Sequence, residues 1–244
     1  MQHEIRYQPS YSLAILRLDP GEEVRCESGA MVSMSAELVL ETKMNSGNEG
    51  GGLCRSALGA LKRSVLADES FFITTVRANS RAGELTLAPA TPGDVQAVEL
   101  DGAGLYMQAG SYLASSPGVN VDTAASLRGL LGGEGAFFLH LTGRGLAFLT
   151  SFGAIHRRDL AVDERYVVDS GHLVAFTEGT PMETRMAVQG GGFFKRAMTS
   201  AASGEGMVME FTGPGEVWLQ TRNAEAFSSW LYKLLPKPTN NSSS

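Results

Sequence analysis

Three stretches place apolar side chains two residues apart: Val24 with Cys26, Leu105 with Met107, and Tyr166 with Val168. A two-residue period puts alternate side chains on one face, the pattern of a half-buried strand. The runs FFITTV from Phe71 and AFFLHL from Ala136 are rich in aromatic and branched residues and predict further strands. Pro-Gly at 20–21 and 92–93, with Gly-Pro-Gly at 213–215, predicts tight turns. Only two stretches read as helix. Leu53 to Leu66 sets Leu53, Ala57, Leu61 and Val65 on one face, and Asn223 to Leu235 sets Phe227, Trp230, Leu231, Leu234 and Leu235 on one face. Short strands joined by glycine turns predict an all-β chain whose antiparallel sheets pack face to face, as a sandwich or small barrel.

The strand patterns also repeat. LDPGEEVRCESGAMVSM from Leu18 aligns without gaps on LAVDERYVVDSGHLVAF from Leu160, placing Gly29 on Gly171. LDGAGLYMQAGSYLAS from Leu100 fits with one residue fewer, its glycine being Gly110. Each copy continues with a Gly-rich stretch (Gly50–Gly52, Gly132–Gly133, Gly190–Gly192) and then Glu69, Glu134 or Glu205 before an apolar run. After a turn comes a glycine-led strand: Gly83 to Leu87, Gly145 to Leu149, Gly215 to Leu219. Order and phase kept through four blocks point to internal duplication. The expected units span 8–90, 91–152 and 153–222, followed by a helix over 223–236 and a disordered tail over 237–244.

Composition narrows the function classes. The chain has 244 residues, 43% of them apolar, which suffices for a core and excludes global disorder. With 20 Lys+Arg against 26 Asp+Glu, the net charge of −6 opposes bulk nucleic-acid binding. No apolar run approaches the roughly 18 residues of a membrane-spanning helix. MQHEIRYQPS lacks a basic segment followed by an apolar stretch, so no signal peptide is expected. Two cysteines, Cys26 and Cys54, without an export signal predict reduced thiols and a cytoplasmic protein.

ESGAMVSMS, the stretch from GGG through LKR to ADESFF, LAPATPGDVQAVEL, and VVDSGHLVAF followed by a second GGG resemble the altered-inheritance-of-mitochondria family. The resemblance covers about residues 5–236. It implies a fold similar to the tryptophan RNA-binding attenuation protein, a β-sandwich unit that builds rings. Bacterial and archaeal relatives are soluble, and a fungal relative is mitochondrial and linked to inner-membrane organisation. The family carries no established catalytic residues, so the resemblance implies a fold and an oligomeric tendency rather than a reaction.

Candidate chemistry is sparse. Pro20 to Val32 has the cadence of a strand pair from a cupin, a double-stranded β-helix, but that strand offers Val24, Arg25 and Cys26 where a metal site needs His. No two of the four His (His3, His140, His156, His172) lie within ten residues, although His156 and His172 could meet in space near Asp169. Ser28 and Ser170 sit in Ser-Gly turns without a nucleophile elbow. Cys54 follows a glycine run that could lower its pKa at a helix start, against the simpler reading of a structural thiol. No catalytic residue, metal ligand or cofactor is therefore assigned. The Gly-rich loops offer Arg55, Lys62, Arg63, Lys195 and Arg196 as candidate anion or ligand contacts, the alternative being turn glycines and solvated cations. The cation pairs Lys62-Arg63, Arg157-Arg158 and Lys195-Arg196 do not fall at one equivalent place, which argues against an RNA-binding ring.

Expected function is thus a non-catalytic binding or scaffolding protein that serves a protein or membrane-associated partner. The alternative is a small-molecule or anion-binding protein, or a cupin-like enzyme, with a pocket near the Gly-rich loops. Exposed sheet edges predict a homo-oligomer, with a trimer favoured. The C-terminal helix is expected to pack on its own sheets, or else across a subunit interface.

Overall fold

The computed structural model describes residues 1–43, 73–124, 127, 138–186 and 207–235. Strands dominate them, in antiparallel sheets, with a helix at the C-terminal end. A four-stranded sheet has the order β1 (Gln2–Arg6), β2 (Leu13–Leu18), β7 (Gly83–Leu87) and β4 (Met31–Met34). A long sheet links β13 (Ile155–Leu160), β18 (Gly215–Gln220), β15 (Leu173–Thr177), β9 (Leu105–Gln108), β12 (Phe138–Thr150), β10 (Tyr112–Ser115), β3 (Glu23–Glu27), β6 (Ile73–Ala78) and β5 (Leu38–Lys43) in that order. Within it, β8 (Val95–Asp101) and β11 (Val119–Thr123) also pair with β12. A three-stranded sheet has the order β14 (Arg165–Asp169), β17 (Met207–Thr212) and β16 (Met182–Met186).

The two-residue periods of the sequence are core contacts. Val24, Cys26, Leu105, Met107 and Val168 are all buried, and they belong to three apolar clusters built between facing sheets. The largest fully buried side chains include Phe148, Trp218 and Phe211, one in each cluster. Each such side chain contributes roughly 1.5–3 kcal/mol on leaving water, so these clusters hold the sheets together.

Gly29, Gly110 and Gly171 occupy the short links from β3 to β4, from β9 to β10 and from β14 to β15. Their conformations differ. Gly29 has φ +93° in an open turn, whereas the other two lie in single turns of 3-10 helix. The strand after each link carries a register shift: between Met31 and Ser33, Tyr112 and Ala114, and Leu173 and Ala175. Such a bulge turns one strand away from its neighbour's plane.

Two expectations need correction. A turn was expected before Gly145, but β12 runs unbroken for 13 residues. Its first part pairs with β9 and β11, and its second with β8 and β10. Gly143 (φ +96°) and Gly145 (φ +139°) let the strand bend from one layer to the other without leaving the ladder. The second correction concerns α1 (Ala224–Leu234), which is capped by the Asn223 side chain accepting from the Ala226 N–H at 3.0 Å. Most of its apolar face is left uncovered by the described strands. Trp230 is 55% and Leu234 62% exposed, and Phe227 meets Phe152 edge-on at 5.2 Å. The helix is anchored near its start, and the rest of the apolar stripe faces outward.

Candidate functional site

The five cations proposed as ligand contacts, Arg55, Lys62, Arg63, Lys195 and Arg196, lie outside the described residues, as do Cys54 and the stretch expected as a helix over 53–66. The histidines are described, and they are dispersed among structural contacts. His3 packs edge-on against Phe148 at 5.3 Å. His172 Nδ1 is 2.8 Å from the Gln220 carbonyl oxygen, and nearby Asp169 accepts from the Gly171 N–H, so both groups brace a turn. His156 lies on β13 with its side chain in solvent. His140 stacks on Tyr106 at 4.5 Å, and its Nε2 is 3.2 Å from a Glu178 oxygen without the alignment of a hydrogen bond. Among the described residues no group of three or more His, Cys, Asp or Glu has metal-holding geometry.

Clefts open at the ends of the strands. One, of about 560 Å³, lies between the ends of β8 and β13 and the starts of β9 and β18, with Glu99, Asp101, Asp159, Glu216 and Trp218 in its walls. Arg157 donates to Asp159 at 2.9 Å and to Glu216 at 2.6 Å, and lies 5.6 Å from the Trp218 ring centre. The cation is thereby committed to neighbours. The other, about 470 Å³, has Gly21, Glu22, Glu23, Ser116, Pro117 and Leu146 in its walls. Both are open surface grooves between strand ends, and of their carboxylates Asp159 and Glu216 pair with Arg157, Glu23 with Arg77 and Glu22 with the N-terminal ammonium.

Buried ionisable groups cluster around the end of β3. Burial pushes the Cys26 thiol up to about 12, with the neighbouring Glu27 carboxylate adding to the effect. A thiol in that state holds its proton and is a poor nucleophile. Desolvation likewise raises Glu27 to about 7. Tyr112, raised chiefly by burial, donates to the Arg25 carbonyl oxygen at 3.3 Å and shares a 2.8 Å hydrogen bond with Ser115.

Apolar side chains exposed to water are concentrated elsewhere. On β4, all four residues are exposed, with Met31 at 40%, Val32 at 59% and Met34 at 37%. Val167 on β14 is exposed, as are Phe227, Trp230, Leu231, Leu234 and Leu235 around α1. The sequence predicts the apolar helix face, but as a covered one, and does not single out the two strands. MVSM at 31–34 differs little in apolarity from YLAS at 112–115, which is fully buried. No residue type signals which of the two has a lateral neighbour.

The sequence model of the family described as Mitochondrial biogenesis AIM24 matches residues 3–222. The chain belongs to this family. This AIM24-family chain is 31% identical over 243 residues to an uncharacterised protein of Streptococcus pyogenes serotype M6, covering 98% of this chain and 93% of that one. The AIM24-family fold described above is also similar to the X-ray crystal structure of a Streptococcus pyogenes protein, with a TM-score of 0.75 and 29% identity. That similarity covers 96% of this chain and 99% of the other. No helix among the described residues is long and apolar enough to cross a membrane.

Proposed function

We propose that this AIM24-family chain is a non-catalytic scaffold of three like units, over 8–90, 91–152 and 153–222, assembled as a homo-oligomer of three chains in the cytoplasm. It presents contact surfaces to a protein or membrane-associated partner. The observation that carries the reading is that exposed large apolar side chains gather on β4 and the α1 face, with Val167 on β14 and Val39 and Leu40 on β5 among the others, surfaces suited to contact. The unit reading is supported by recurrent pairing. β3–β6–β5, β9–β12–β11 and β14–β17–β16 are like triplets, and so are β2–β7–β4, β8–β12–β10 and β13–β18–β15.

Native mass spectrometry of the protein purified from its own cells tests this. The expected spectrum is a trimer that retains a protein or lipid partner. Stoichiometric metal on His156 or His172, or a bound metabolite turned over on incubation, overturns the non-catalytic reading.

A further inference from the structure

Two joints hold strand triplets together within the long sheet, and they are built alike. At the first, β10 lies antiparallel to β3, with Ala114 opposite Cys26 and Ser115 opposite Arg25. At the second, β15 lies antiparallel to β9, with Ala175 opposite Met107 and Phe176 opposite Tyr106. In both, the bulged strand of one triplet supplies a small residue opposite a buried apolar residue of the next. Both supplying strands, β10 and β15, are buried at their first four residues.

The strand β4 has the same bulge and the same place beside its partner as β10 and β15, but no second neighbour among the described residues. All four of its residues are exposed. At the other end, β14 stands where β3 and β9 stand in their triplets, paired with β17 on one side and, among the described residues, with no strand on the other. Val167 is 47% exposed there. The two short sheets therefore end in complementary unpaired edges, and each is the half that the other two joints would supply. β4 and β14 of the same chain do not pair with each other, which leaves each edge open to another copy.

We infer that β4 of one copy adds antiparallel to β14 of the next, in the register Ser33 opposite Val168 and Met34 opposite Val167. Ser33 is the small residue at the place of Ala114 and Ala175, and Val168 is the buried apolar residue at the place of Cys26 and Met107. Met34 and Val167 match the Phe176–Tyr106 pair, whose rings lie 5.3 Å apart. The joint merges a four-stranded and a three-stranded sheet into one. It is head-to-tail, since each copy offers one edge of each kind, and such contacts either close into a ring or grow into filaments. Edge backbone groups that have no strand partner among the described residues, together with exposed methionine and valine, supply the drive.

The inference rests on the unit reading above. Its test uses the full chain with Cys54→Ser. Met34→Cys protein is mixed with Val167→Cys protein under mild oxidation, and Ser33→Cys protein with Val168→Cys protein. Adjacent antiparallel pairs alternate in spacing, so at least one pair suits a disulfide. The expected result is a disulfide-linked dimer in a mixture and none with either protein alone. The double variant of the reactive pair should give a closed, covalently linked ring, and a ring of any size supports the joint. Met34→Lys and Val167→Lys should each shift the assembly to monomers while keeping the wild-type far-ultraviolet circular dichroism, and Met34→Lys combined with Val167→Glu should restore it. A monomeric wild-type chain, a Met34→Cys self-dimer, or an assembly untouched by both lysines overturns the joint. Assembly through another surface would leave the unit reading standing, whereas three segments that fail to superpose in a crystal structure would remove that reading itself.

Discussion

Replacing Glu27 by Gln isolates one buried charge. Desolvation at the end of β3 raises this carboxyl from its ordinary value of 4.5 to about 7. Below pH 4.5 the group is protonated in both folded and unfolded chains and contributes no difference. Between 4.5 and about 7 the folded chain binds more protons than the unfolded one, so stability falls as pH rises. Above about 7 the cost of carrying the charge is complete. The shift corresponds to about 3.4 kcal/mol at 1.36 kcal/mol per unit, and solvent at this partly buried position screens it to about 1–2 kcal/mol. Glu27→Gln removes that cost while keeping the shape. Urea unfolding at fixed protein concentration and pH 4.5, 6, 7 and 8 measures it. The variant should equal wild type at pH 4.5 and gain about 1–2 kcal/mol by pH 8. A difference independent of pH, or a wild type that is the more stable at pH 8, refutes the reasoning.

Three other perturbations probe the frame. Asp94, which is buried, accepts from Gln8 at 3.0 Å, Ser12 at 3.0 Å and the Val95 N–H at 2.8 Å, so Asp94→Ala should cost about 2–4 kcal/mol in urea titrations. A Cβ at Gly93 would collide with the Ser151 carbonyl oxygen, so Gly93→Ala should lose about 1–3 kcal/mol or more, read as a lower unfolding midpoint. Trp230→Ser with Leu234→Ser should leave the melting temperature of dilute protein within about 2 °C, because neither side chain is buried in the chain. A fall of many degrees would mean that the helix packs on its own sheets after all.

The interior was legible because it is periodic. Val24, Cys26, Leu105, Met107 and Val168 announce their faces by spacing, and each strand they predict is present. The bend in β12 was not legible. A glycine pair before an apolar strand reads equally as a hairpin or as a strand that changes layers, and the difference lies in which neighbours pair with it. The α1 face was visible in the sequence, yet its packing partner was not, since periodicity gives the stripe and not what covers it. For the candidate site, the sequence directed attention to glycine loops and cations outside the described residues. The exposed edges β4 and β14 escaped notice because edge status belongs to backbone hydrogen bonding, which every residue but proline offers alike.

The unbroken course of β12 has a consequence for how the molecule comes apart. In stacked repeat proteins each module touches only the next, and an end can fray while the remainder survives. Here a single strand belongs to two layers and borders β8, β9, β10 and β11. Through β9 and β10 its ladder reaches β15 on one side and β3 on the other. Melting the middle third would strip hydrogen-bonded neighbours from both outer thirds at once. Modularity of sequence is thus coupled to indivisibility of unfolding, and the chain should lose its structure in one cooperative step rather than module by module.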